Sequence, residues 1–214
     1  MSQLTDTLQI NSGNPVHILM GYIERSLINS YKYPKREYHN WNHVIACLKE
    51  LESYPDSNHD EYNKDLIAIA IYYHDCIYDP KKDNNEELSA ERAFIDLKAL
   101  GYTLSLAMYV YDLIMLTKHK GPCNFLSGQV LMDIDMSILG KDSLIFLSYE
   151  LHIREEYNFL SVEEYRPGRI NFLQSVLDKK CIYQTNFFRD KYEEAARENI
   201  KTLIKALTPV KFIH

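Results

Sequence analysis

The chain has 214 residues, of which 46% are apolar and 25% charged, with a formal net charge of −6. This excludes a wholly disordered chain and disfavours an extended nucleic-acid surface, because neutralising phosphates requires clustered Lys and Arg. Only 7 glycines and 7 prolines occur, fewer than the usual roughly 7% and 5%, so a turn-rich sandwich or barrel is disfavoured and long helices are favoured.

Residues Met1 to Asn14 contain no basic residue and no apolar stretch, so no secretory leader is expected there. The longest apolar run, Leu66 to Tyr73, is far short of the roughly 20 residues that span a bilayer. No membrane association is expected. Cys47, Cys76, Cys123 and Cys181 lie far apart without a CxxC pair, which reads as reduced thiols of a cytoplasmic protein.

In chain order, Asn14 followed by Pro15 starts a helix carrying Ile18, Leu19, Tyr22, Ile23 and Leu27, running to about Tyr31. A second helix is predicted over His39 to Ser53, with Val44, Cys47, Leu48 and Leu51 as its buried stripe. A polar loop from Pro55 to Asp60 follows. Glu61 to Tyr78 is predicted as a helix apolar nearly all round, hence central to a bundle, and Asp79-Pro80 stops it. Glu86 to Leu100 then reads as amphipathic and ends at Gly101, and Thr103 caps a helix from Leu104 to Lys118. Further helices are predicted at Ser127 to Leu139, Ser143 to Tyr157, Glu163 to Asp178 with an interruption at Pro167-Gly168, and Thr185 to about Leu207. The fold class is all-α, a helical bundle forming a single domain over 1–214 with its core at about 15–206.

His74-Asp75 stands out because it lies near the end of the most apolar helix, where an ionised carboxylate is costly unless paired or bound to metal. His43 lies beside a buried stripe, and Asp133 and Asp135 interrupt another apolar helix. Each has a plain alternative, a hydrogen-bonded core group. Yet one His, a His-Asp pair and an Asp on separate helices are what a metal site in a bundle core requires.

These residues resemble the HD-domain superfamily of metal-dependent phosphohydrolases, whose H…HD…D pattern is matched by His43, His74-Asp75 and one of Asp133 and Asp135. The surroundings resemble a bacterial subfamily of predicted HD phosphohydrolases. They include Arg36-x-Tyr38-His39-Asn40-x-x-His43, His74-Asp75-x-x-Tyr78-Asp79-Pro80, Asn85-Glu86-x-x-Ser89-Ala90 and Thr117-Lys118-His119. Asp133-x-Asp135-x-Ser137-x-Leu139-Gly140, Arg154-x-Glu156-Tyr157 and Ala196-Arg197-x-Asn199 extend the match over most of the chain.

The resemblance implies an HD-domain bundle holding one divalent ion, or two, of Mn, Mg, Zn, Fe or Ni, on His43, His74, Asp75 and Asp135, with Asp133 as the alternative. It implies hydrolysis of a small phosphorylated metabolite, a nucleotide first, at a phosphomonoester, phosphodiester or pyrophosphate bond. Asp75 would take the proton of the attacking water, Arg36, His39 and His119 would face the phosphate, and Glu86 would orient water or the leaving group. Each keeps a structural alternative: pairing of Arg36 with Glu37, a helix-start His39, a His119 or Glu86 serving a helix dipole. A di-iron oxygenase drawing on His39 and His119, a non-catalytic binding module and a homodimer also stay open. Trp41 reads as core or interface material, although an aromatic ring near the pocket could stack on a base.

Overall fold

The structure, a computed structural model, describes residues 15–32, 34–55 and 62–208. The Asn14 cap, most of the 55–60 loop and the 209–214 tail lie outside the described residues. Nine α-helices occur among the described residues: α1 (Pro15–Lys32), α2 (Trp41–Ser53), α3 (Lys64–Tyr73), α4 (Asn85–Ala99), α5 (Leu104–Leu116), α6 (Leu126–Asp135), α7 (Ser143–Glu156), α8 (Val162–Leu177) and α9 (Asn186–Leu207). A 3₁₀ turn at Met136–Gly140 follows α6. No strand occurs among the described residues, so the all-α class is observed. No described helix is long and apolar enough to cross a membrane.

Two compact units divide the chain, Met1–Ile134 and Asp135–His214. In the first, α3 is central: Ile67 to Tyr73 are all buried, and the helix packs against α2, α4 and α5. Removing this much apolar surface from water is what drives the unit together. Side-chain caps set the helix starts. Asn63 Oδ1 accepts from the Leu66 amide at 3.0 Å, and Thr103 Oγ1 accepts from the Leu106 amide at 3.3 Å. In the second unit α9 packs on the 3₁₀ turn and on α8. There Asn199 donates to the carbonyls of Leu139 and Lys141, both at 2.9 Å. A buried Glu150–Arg169 ion pair joins α7 to α8.

Three predicted boundaries differ. The α3 helix ends at Tyr73 rather than Tyr78, because the carbonyls and amides beyond it are bound by distant side chains instead of by the helix. The helix predicted to Leu139 leaves α geometry after Asp135. In α8 the chain runs straight through Pro167. Pro167 lacks the N–H that would reach back to the Glu163 carbonyl, but both residues are exposed, so water can satisfy that carbonyl.

Candidate metal centre

Three elements of the first unit converge on the His-Asp pair. Asn40 caps α2, its Oδ1 accepting from the Asn42 amide at 2.9 Å while its Nδ2 donates to the Glu37 carbonyl at 2.8 Å and the Arg36 carbonyl at 3.3 Å. That cap places His43 in the first turn of α2 with its ring inward, packed beside the Tyr38 ring (4.8 Å between centroids). His74 is the C-cap of α3, and only 2% of it is exposed.

The turn after α3 is held from outside. Arg36 Nη1 donates to the carbonyls of Asp75 (2.5 Å) and His39 (3.1 Å), and Nη2 donates to the Cys76 carbonyl (3.1 Å). Tyr31 Oη donates to the Tyr72 carbonyl at 3.1 Å and accepts from the Asp75 amide at 3.3 Å. Ser89 Oγ accepts from the Ile77 amide (3.1 Å) and donates to the Ile77 carbonyl (3.2 Å). Asn85 brackets Asp79, accepting from its amide and donating to its carbonyl, both at 3.0 Å. These bonds hold the carbonyls of Asp75, Cys76, Ile77 and Asp79 and the amides of Asp75, Ile77 and Asp79 in a non-helical path.

Within this frame His43 Nε2 and His74 Nε2 stand 3.0 Å apart. Asp75 Oδ2 lies 3.0 Å from His74 Nε2 and 3.6 Å from His43 Nε2. Asp135, the last residue of α6 and placed by that helix, brings a carboxylate oxygen into a group whose ligand atoms all lie within 4.8 Å of one another, with His43 and His74. Asp133 is 2% exposed and bears on the Tyr54 hydroxyl, whose pKa is raised first by burial and then by this carboxylate.

The donor set can be tested for fit. His74 Nδ1 is 2.8 Å from the Ile71 carbonyl, which can only accept, so Nδ1 carries a proton and a neutral ring presents a bare Nε2. That lone pair faces an imidazole nitrogen and a carboxylate oxygen. Asp75 Oδ2 is buried with no hydrogen-bond partner, despite its ion-pair distance to His74; the distance is short but the alignment is not that of a hydrogen bond. Two ring nitrogens converging on a buried carboxylate oxygen that has no hydrogen-bond partner are a donor set that suits a cation. Donors at about 2.0–2.2 Å from one ion stand about 2.8–3.6 Å apart for tetrahedral or octahedral angles. The separations of 3.0, 3.0 and 3.6 Å match. Burial pushes the Asp75 pKa up, and any positive charge on His74, His39 or His43 lowers it.

The remaining predicted residues lie at varied places. His39 stacks on Tyr78 (4.1 Å between centroids) with its ring 6.1 Å from that of His43. Arg36 spends Nη1 and Nη2 on main-chain carbonyls. Glu86 is in the first turn of α4, 3.8 Å from Lys118 Nζ, which also pairs with Glu87. His119 follows α5 in the left-handed region, φ 52°, with its amide donating to the Leu116 carbonyl at 2.9 Å. Tyr31 is the contributor that sequence reading passes over. Nothing in its local pattern separates it from the other tyrosines; only the fold brings its hydroxyl to Asp75.

The chain matches no protein-family model and no curated protein. Its structure is similar to that of a predicted HD superfamily hydrolase from an uncultured Thermotogales bacterium, with a TM-score of 0.52 and 14% identity over 87% of this chain and 88% of that one.

Proposed function

The fold is that of an HD-domain protein, and from it we propose a metal-dependent phosphohydrolase that acts on a small phosphorylated metabolite, with nucleotides the first class to try. The observation that carries this reading is the convergence of His43 Nε2, His74 Nε2 and the orphaned Asp75 Oδ2 within 3.6 Å. His43, His74, Asp75 and Asp135 would hold one divalent ion. Bound there, such an ion supplies Lewis acidity to a phosphoryl oxygen and lowers the pKa of water.

The chain's own residues supply the rest. The Ile71 carbonyl fixes the ring of His74 and leaves Nε2 as donor to the ion. Asp75, its Oδ2 beside the Nε2 atoms of His74 and His43, takes the proton of the attacking water. His39, stacked on Tyr78 beside the His43 ring, offers a ring N–H to phosphate oxygens. Glu86 and His119 are assigned to the substrate side, Glu86 with Lys118 as its counter-ion. Arg36 acts through the main chain, as a positioning residue. Neither His39 nor His119 joins the donor group among the described residues, so a single ion is the reading favoured here over a pair of irons.

Elemental analysis of the purified chain beside a His74→Ala/Asp75→Ala variant tests this, together with phosphate release from a panel of phosphorylated metabolites. One equivalent of transition metal in the first chain, little in the second, and metal-dependent turnover only in the first are expected. Equal, negligible metal in both after reconstitution would overturn it.

A further inference from the structure

A cleft with basic residues in its lining lies beside this centre. The end of α1, the loop through 34–40 and the first turn of α2 surround an open cleft of about 480 Å³. This is within the roughly 300–1,000 Å³ range of small-molecule sites. None of the candidate metal donors lines it.

Positive charge reaches the cleft from three sources. Lys32 and Lys35 are exposed on its rim. Lys35 pairs with Glu37 at 2.6 Å, but the lysine side chain is 84% exposed, and such a surface pair is easily exchanged for a stronger anion. The second source is Arg36, only 8% exposed. Its Nη hydrogen bonds go to neutral carbonyls, no carboxylate among the described residues meets it, and its Nε is buried with no partner. A buried cation left unneutralised is costly, and a counter-anion relieves that cost. The third is the N-terminus of the 13-residue α2, whose dipole favours negative charge.

The apolar wall is aromatic. Trp41 is held in a stacked contact with Tyr72 (5.9 Å) and an edge contact with Tyr31 (5.7 Å), and it lines the cleft half-buried. Two rim lysines backed by a buried guanidinium match a phosphate dianion, and the volume beyond that anion suits a flat organic group against the indole. We propose that this cleft is a second ligand site, separate from the metal centre, that takes the phosphate of a small phosphate monoester on Lys32 and Lys35 beside Trp41, with the buried charge of Arg36 behind them. The site does not depend on the hydrolase reading, since no metal and no turnover enter it.

Trp41 is the sole tryptophan, so its fluorescence reports on this cleft. The full chain in a chelating buffer is titrated with adenosine 5′-monophosphate, inorganic phosphate and adenosine at constant ionic strength, with calorimetry in parallel. Saturable binding of the monophosphate is expected, weaker binding of phosphate, and weakest of adenosine. Binding should persist in the His74→Ala/Asp75→Ala variant and weaken roughly tenfold or more in Lys32→Ala/Lys35→Ala. Four results overturn the proposal: no saturable signal or heat up to about 10 mM; adenosine binding as well as its monophosphate; affinity unchanged in the lysine variant; or binding abolished in the His74/Asp75 variant, which would put the anion at the metal centre. Absence of phosphate release, by contrast, would remove only the hydrolase reading.

Discussion

Arg36 is the residue on which the candidate centre most depends without touching it. Three carbonyls from 39, 75 and 76 accept from one buried guanidinium, and hydrogen bonds to a charged group contribute more than neutral ones. Arg36→Ala should lower stability by on the order of 2–4 kcal/mol in urea unfolding, since the buried carbonyls lose their donors. Metal affinity should fall about 10–100-fold in a chelator competition, the usual cost of losing an orienting partner. Cys76, one step further along the turn, behaves oppositely to a nucleophile. Burial pushes its thiol up to about 12, outweighing the hydrogen bond with Ser89, so below that pH it is protonated and inert. Native alkylation followed by mass spectrometry should label the half-exposed Cys181 well before Cys76. In the sequence His43, His74 and Asp75 stand out as polar groups inside apolar periodicity, and the structure brings their side chains together. Tyr31, and the use of Arg36 on carbonyls, were not legible, because these bonds join residues 39 to 44 positions apart, and no local pattern encodes such a distance.

Helices were legible where burial imposed their period. Continuous burial over Ile67 to Tyr73 is written as continuous apolarity, and the Thr103 cap as a hydroxyl before an apolar run. The end of α3 was illegible for a physical reason: Ile77 and Tyr78 prolong the apolar pattern, while Arg36 and Ser89 take the polar groups a helix would need. Pro167 misled in the other direction, since a proline excludes an N–H but does not exclude helix when the orphaned carbonyl faces water. Two glycines inside helices separate propensity from packing. Around Gly168 in α8 nothing stands within 4 Å of an added Cβ, so Gly168→Ala should stabilise by about 0.5–1 kcal/mol. In α6, a Cβ on Gly128 would collide with Cys123 Sγ and the Leu116 side chain, and Gly128→Ala should cost about 1–3 kcal/mol. Thermal melts of the two variants should move in opposite directions.

At the scale of the molecule, His43, His74 and Asp75 all belong to the first compact unit. An ion bound only by the native chain stabilises it by mass action, about 2.7 kcal/mol at a hundredfold excess over Kd. For a chain of this size that is a rise in Tm of about 5–10 °C on loading with metal, reversed by a chelator. Hydrogen exchange should slow most around His43 and over 74–80. The turn at 74–80, however, is already tied down by Arg36, Tyr31, Ser89 and Asn85. Its shape is therefore set by hydrogen bonds from side chains elsewhere in the chain and not lent by the ion, unlike the small zinc modules that collapse when stripped. Far-UV circular dichroism of the demetallated chain at 25 °C should superimpose on that of the loaded one, the scaffold standing ready while its cargo comes and goes.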